Sequence, residues 1–139
     1  MTKTFDTSAL DALCPMHLVL SASGDVRHVG PPLKKIRPDL LGARFLDIFE
    51  VKRPRHVTTV EALAAAANQK LQVRFKDRPF TPFKGVLVGA NKKTGEMIVN
   101  LSFGIAVVDA VRDFALTNAD FAATDLTIEM LYLIEAKSA

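Results

Sequence analysis

The sequence predicts an α+β domain built on an antiparallel sheet of about five strands, with helices on one side and further helices at its two ends. Three observations carry this. Apolar and polar residues alternate with a period of two in two separated blocks, one within residues 17–29 and one from about 70 to 104. Between and beyond those blocks the apolar residues recur at three and four, the helical spacing. Clusters of Ser, Gly, Asp and Asn punctuate the alternating runs closely enough to make hairpins.

The elements follow in order. Residues 6–13, DTSALDAL, form a short helix that Asp6 or Ser8 caps and Pro15 ends. In HLVLSASGDVRHVG, His17, Val19 and Ser21 alternate with Leu18, Leu20 and Ala22, and Ser23-Gly24-Asp25 turns the chain back into Val26–Val29. Pro31-Pro32 opens a helical segment, PPLKKI, that Pro38 closes. DLLGARFLDIFE reads as another helical turn or two, broken near Gly42. Thr58-Thr59-Val60-Glu61 has the spacing of a capping box, and VEALAAAANQ is a strong helix former with a small-residue surface. KLQVRFK then alternates Leu71, Val73 and Phe75 with Gln72, Arg74 and Lys76. A strand at about 83–89, a polar turn ANKKTG and a strand at about 96–104 complete the β region.

After Ile105 the pattern is helical again, in the short pieces AVVDAVRDF and ADFAA and then TDLTIEMLYLIEAKSA. Thr124 or Asp125 caps the last of these. Leu126, Met130 and Leu133 run at heptad-like spacing, with Leu131 and Ile134 beside them, so the stripe serves either the domain's own sheet or a partner helix. No Gly, Asn or Pro closes this helix, and an output domain is expected beyond it. Two strands, a helical section and three antiparallel strands give the outline of a PAS-like sensor domain. Residues 1–123 are assigned to that domain and 124–139 to the start of a C-terminal signalling helix.

Composition excludes several classes. With 139 residues, 49% hydrophobic and 24% charged, the chain suits one domain with a real core and is not disordered. No apolar run reaches the roughly 18–20 residues of a membrane span, and the N-terminus lacks the pattern of a secretory signal. The single cysteine, Cys14, rules out an internal disulfide and fits a reducing cytoplasm. The net charge of +3 is polarised: residues 1–100 carry 16 Lys/Arg against nine Asp/Glu, and residues 101–139 carry two against six. A basic body with an acidic tail suits contact between subunits or modules.

No catalytic constellation is legible. His17, His28 and His56 do not form a close-spaced ligand motif, and no second cysteine joins them, so the sequence points to no metal site. Nucleotide-binding glycine loops and a nucleophile elbow are lacking. The acid pairs Asp109/Asp113 and Asp120/Asp125 sit beside helix starts, where carboxylates cap free amides. Residues 27–56 hold eight Lys/Arg against three Asp/Glu, a patch that phosphates would favour. Its cations are interleaved with an amphipathic pattern and interrupted by Pro54, which argues for the rim of a folded domain, with Lys52, Arg53 and Arg55 facing a partner.

The run CPMHLVLSASGDVRHVGPPLKKIRPDLLGARFLDIFEVKRPR resembles the start of the haem-NO-binding-associated domain of soluble guanylate cyclases and of bacterial signalling proteins. The matching residues are Pro15-Met16-His17-Leu18, Pro38-Asp39-Leu40-Leu41-Gly42, Phe45-Leu46-Asp47 and Arg53-Pro54-Arg55. Met16 stands where the family usually has an aromatic. At the other end Leu116, Asp120, Phe121, Asp125 and Leu126 resemble the family's lead into its coiled-coil helix, in wording similar to the bacterial type fused to diguanylate cyclase.

The resemblance implies a relay role in place of an active site. It implies a homodimer, a haem-based NO sensor as partner, a nucleotide cyclase as output, and no cofactor in this chain. Two rivals stand beside it. One is a small-molecule-binding PAS sensor whose pocket Phe75, Phe80, Phe83 and Phe103 would line, although these fit a core better. The other is a basic nucleic-acid-binding module.

Overall fold

A computed structural model describes residues 7–78, 80–103, 114, 116 and 120–122. Six strands form one antiparallel sheet: β1 (His17–Leu20), β2 (Val26–Val29), β3 (Phe49–Arg53), β4 (Lys70–Phe75), β5 (Pro82–Asn91) and β6 (Glu96–Ser102). Their order is β2-β1-β6-β5-β4-β3. Short helices precede and interrupt it: α1 (Thr7–Leu13), α2 (Pro31–Ile36), α3 (Phe45–Ile48) and α4 (Val60–Ala65). The class is α+β, as the sequence predicts.

The sixth strand, β3, is the departure from the expected five. The stretch read as a continuing helix spends one turn as α3 and then extends, with Phe49 at φ −110°, ψ 141°. Phe49 and Val51 alternate with Glu50 and Lys52, a period-two pattern that the helical spacing of Phe45, Leu46 and Ile48 overlays. Pro54 immediately beyond favours extended backbone before it.

Local chemistry explains most of the other boundaries. At the β1–β2 turn, Asp25 N–H donates to Ser21 Oγ (3.1 Å) and Ser23 Oγ to Asp25 Oδ2 (3.1 Å). At the β5–β6 turn, Asn91 Oδ1 accepts from Lys93 and Thr94 N–H at 2.9 and 3.3 Å. Prolines at the first positions of α2 cost it no hydrogen bond. The cap of α4 is Thr59, whose Oγ1 accepts from Ala62 N–H at 3.2 Å, one residue later than the capping-box spacing places it. This helix also ends early, because Asn68 turns to φ 65° and donates its N–H to Leu87 C=O of β5 at 2.8 Å.

One face of the sheet carries the core. Leu18, Leu20, Leu71, Val73, Phe83, Leu87 and Val99 are buried together with Leu33 of α2, Leu40, Phe45 of α3 and Leu63 of α4. Each such Leu or Phe contributes about 1.5–3 kcal/mol. Aromatic rings run through this layer from Phe45 to Phe49 (4.6 Å), Phe75 (5.0 Å), Phe83 (5.2 Å), Phe103 (5.1 Å) and Phe121 (6.5 Å). The opposite face holds His17, Val19, His28, Ile98, Asn100, Lys84, Val86 and Val88, and α1 lies over its β1–β2 end. Helices therefore contact both faces. The predicted helix from residue 124, with Leu126, Met130, Leu131, Leu133 and Ile134, lies outside the described residues, as do the acid pair Asp109/Asp113 and Asp125.

Candidate functional site

The antiparallel register of the first hairpin assembles a cluster that sequence spacing conceals. Val19 pairs with His28, and His17 stands two residues before Val19 on the same face. The two imidazoles are thus diagonal neighbours across the strands. Their rings stack with centroids 5.1 Å apart and planes 29° apart. The chain leaves α1 through a turn in which Cys14 N–H donates to Leu10 C=O at 2.7 Å. This turn carries Asp11 over the rings.

Asp11 Oδ1 lies 2.8 Å from His28 Nε2 and 3.8 Å from His17 Nδ1. His17 Nδ1 is 2.8 Å from the carbonyl oxygen of Cys14. A carbonyl only accepts, so Nδ1 carries the proton and Nε2 holds the lone pair. His17 is fully buried, and its Nε2 has no hydrogen-bond partner among the described residues. Burial pushes the His17 pKa below the ordinary histidine value, and the nearby His28 adds to this against the opposing Cys14 hydrogen bond and Asp11 charge. Burial thus favours the neutral imidazole at His17, and its Nε2 lone pair meets no donor among the described residues.

Sequence spacing shows no close-spaced motif among these histidines, yet the fold brings His17 and His28 side by side, with Asp11 on His28 and the Cys14 carbonyl on His17. Their meeting depends on hairpin register and on the seat of α1. Ser21 and Ser23 hydrogen-bond to each other and, through Ser23, to Asp25, and among the described residues no bond links them to the imidazoles.

Lys52, Arg53 and Arg55 do come together, exposed, at the outer end of edge strand β3, around a shallow depression that His56 and Gln72 also line. Much of the surrounding cation excess is matched locally. Arg37 binds Asp39 Oδ1 at 2.8 Å and Asp77 Oδ2 at 2.7 Å, and Lys52 lies 3.4 Å from Glu50 Oε1. Against the effect of burial, Asp77 and Asp39 raise the Arg37 pKa. Arg74 and Lys52 likewise lower that of Glu50 against desolvation.

A further contact was not legible. Asp120, read as a helix cap, is buried and takes a 2.8 Å ion pair from Lys35 of α2. With Phe121 and Ala122 it borders a cleft of about 90 Å³ against Leu13–Met16 and Asn100–Phe103. The segment after the sheet thus packs where α1 enters it.

Of the phenylalanines considered for a ligand pocket, Phe75, Phe83 and Phe103 fill one another's space in the core. Phe80 is instead exposed at φ 58°, with Arg74 and Arg78 guanidiniums 5.4 and 5.9 Å from its ring centroid. No helix among the described residues is long and apolar enough to cross a membrane.

A family model described as Heme NO binding associated matches residues 3–84, more than half of the 139-residue chain. No curated protein matches it.

Proposed function

The chain belongs to the Heme NO binding associated family, a regulatory family of haem-NO signalling, and on that premise we propose that it is a PAS-like relay module. It receives the state of a haem-based NO sensor and hands it to a nucleotide cyclase, diguanylate or guanylate, following residue 139. It acts as a homodimer in the cytoplasm. Residues 1–123 form the module. Residues 124–139 begin the signalling helix, in which Leu126, Met130, Leu131, Leu133 and Ile134 meet a partner helix. Lys52, Arg53 and Arg55 form a partner-facing rim.

The family match over residues 3–84 carries this reading. The fold supports it in two ways. Without edge strand β3, five antiparallel strands remain, with α2–α4 inserted between the second and third of them, which suits a PAS core. The entering helix α1 and the segment Asp120–Ala122 border one cleft, so the two ends of the module share neighbours in β1 and β6. A sensor that displaces α1 then biases a two-state arrangement of the exit segment.

The test is light scattering of the chain alone and with a haem NO-sensor protein, with and without NO. A dimer whose mass rises with the sensor in an NO-dependent manner supports the relay. A monomer indifferent to the sensor overturns it. Leu133→Glu is expected to halve the mass while leaving the far-ultraviolet circular dichroism unchanged. An undiminished mass refutes the helix assignment.

A further inference from the structure

We propose that Asp11, His17 and His28 make the seat of α1 a pH-sensitive catch, which holds the helix on the outer face of the sheet at neutral pH and releases it on mild acidification. The proposal is independent of the relay reading. Helix α1 brings little of its own to the seat. At seven residues it is too short to be stable alone. None of residues 8–13 is buried, and of these only Leu10 and Asp11 are half-buried. The seat therefore relies on polar contacts. Asp11 Oδ1 meets His28 Nε2 at 2.8 Å, and in the turn that follows the Cys14 carbonyl accepts from His17 Nδ1 at 2.8 Å. An element with so few buried apolar contacts opens at low cost.

The cluster has one position that resists a proton. His17 Nδ1 already donates to the Cys14 carbonyl, so an added proton goes to Nε2, which is buried and has no hydrogen-bond partner among the described residues. Protonation there leaves a charged donor in the interior without an acceptor. It also sets a positive ring against the stacked ring of His28, with centroids 5.1 Å apart. Among the described residues the titratable groups facing His17 are Asp11 from α1 and His28 from β2; the turn offers it the Cys14 carbonyl, and β6 places the neutral Asn100 opposite it. One carboxylate thus faces two imidazoles. At 2.8 Å from His28 Nε2 and 3.8 Å from His17 Nδ1, it serves His28 first.

The direction follows from where the proton is tolerated. With α1 seated, burial holds the His17 pKa below the ordinary value of about 6.5, against the Cys14 hydrogen bond, with His28 adding to the effect and Asp11 opposing it. With α1 lifted, water reaches Nε2 and the value returns toward the ordinary one. The released form therefore takes the proton more readily. Seating is complete above about pH 6.5 and is lost as the pH falls below it, by up to about tenfold per pH unit for this one proton.

The experiment is amide hydrogen exchange of the full chain from about pH 7.5 to about pH 5.5, corrected for the intrinsic pH dependence of exchange. Protection of α1 and of the Cys14 amide is expected to fall by about tenfold on acidification while β5 and β6 stay protected. Protection of α1 that does not change, or that falls only together with β5 and β6, overturns the proposal. His17→Asn keeps a side-chain N–H near the Cys14 carbonyl and carries no titrating group, so α1 is expected to stay equally protected across the range. An α1 that is still released by acid in this variant refutes the assignment to His17. A second reading needs no variant: the proton NMR titration of the His17 ring in the parent chain is expected to have its midpoint below the ordinary histidine value and to coincide with the loss of α1 protection. A ring that titrates without any change in α1 also overturns the proposal. His56→Ala, which alters an exposed histidine outside the cluster, is expected to respond as the parent does, and a response that disappears with His56 counts against the catch.

Discussion

Replacing Gly30 with alanine separates steric from conformational demands on this fold. Gly30 has φ −63° and ψ 151°, a conformation open to any residue. The space is what forbids a side chain: a Cβ there would stand 1.8 Å from the carbonyl oxygen of Pro15 and 2.9 Å from its carbon. Opening the first distance to 3.0 Å, the near limit for real Cβ atoms, requires the two backbones to part by about 1.2 Å. They are held together by Gly30 N–H donating to His17 C=O at 2.9 Å and by Leu101 N–H donating to Met16 C=O at 3.0 Å. Losing both bonds costs about 2 kcal/mol, and disturbing the packing of buried Met16 and Val29 adds about 1 more. Gly42 is the converse case, at φ 85° with nothing within 4 Å of a Cβ, so Gly42→Ala costs only the left-handed backbone, about 1 kcal/mol. Urea unfolding followed by circular dichroism measures both. With a slope of about 1.5 kcal/mol per molar, the midpoint falls by about 2 M for Gly30→Ala and about 0.7 M for Gly42→Ala. A Gly30→Ala midpoint at or above that of Gly42→Ala refutes the close-approach argument.

Other substitutions probe the same framework. Phe49→Ala removes a fully buried ring that contacts Phe45, Phe75 and Phe83, and is expected to cost about 3–5 kcal/mol in denaturant melts; a loss below about 1 kcal/mol would show that the ring chain does not support β3. Thr59→Ala leaves Ala62 N–H without its cap and should cost about 1 kcal/mol, whereas Thr58→Ala, at the position the sequence pattern favours, should change the melt little.

How much of this was legible depends on the range of the interaction involved. The two hairpins were legible because Ser23-Gly24-Asp25 and Asn91–Gly95 are local turn chemistry joined to period-two alternation. Helix α2 was legible from Pro31-Pro32 and Pro38, which act on their own neighbours. Strand β3 was hidden because Phe45, Leu46, Ile48 and Phe49 satisfy a helical period, and only pairing of Phe49 with Phe75 and Val51 with Val73 decides for a strand. The histidine cluster was hidden for the same reason. Eleven positions separate His17 from His28, and the hairpin register alone turns that separation into a diagonal contact. The basic rim was found as an exposed group, while the pairings of Arg37 with Asp77 and Lys35 with Asp120 join residues 40 and 85 positions apart.

The position of the cluster bears on how a relay would carry its signal. Asp11 belongs to the entering helix, His28 to edge strand β2 and His17 to β1, the next strand in. Strand β1 is the only one of these hydrogen-bonded to β6, at His17 opposite Asn100 and on to Leu20 opposite Met97. The last residues of β6 border the same cleft as Asp120 and Phe121, and Asp120 is in turn fastened to α2 through Lys35. A pull on α1 therefore loads β1 directly through the Cys14 carbonyl and the His17 ring, and reaches the exit segment after crossing a single strand pair. Coupling over so short a chain of hydrogen bonds would leave the rings from Phe45 to Phe83 packed and disturb only the contact of Phe103 with Phe121, which belongs to the exit segment. Loosening the seat of α1 is accordingly expected to uncouple input from output before it unfolds the domain, and His28→Ala, which spares the buried His17, is the substitution that separates the two effects.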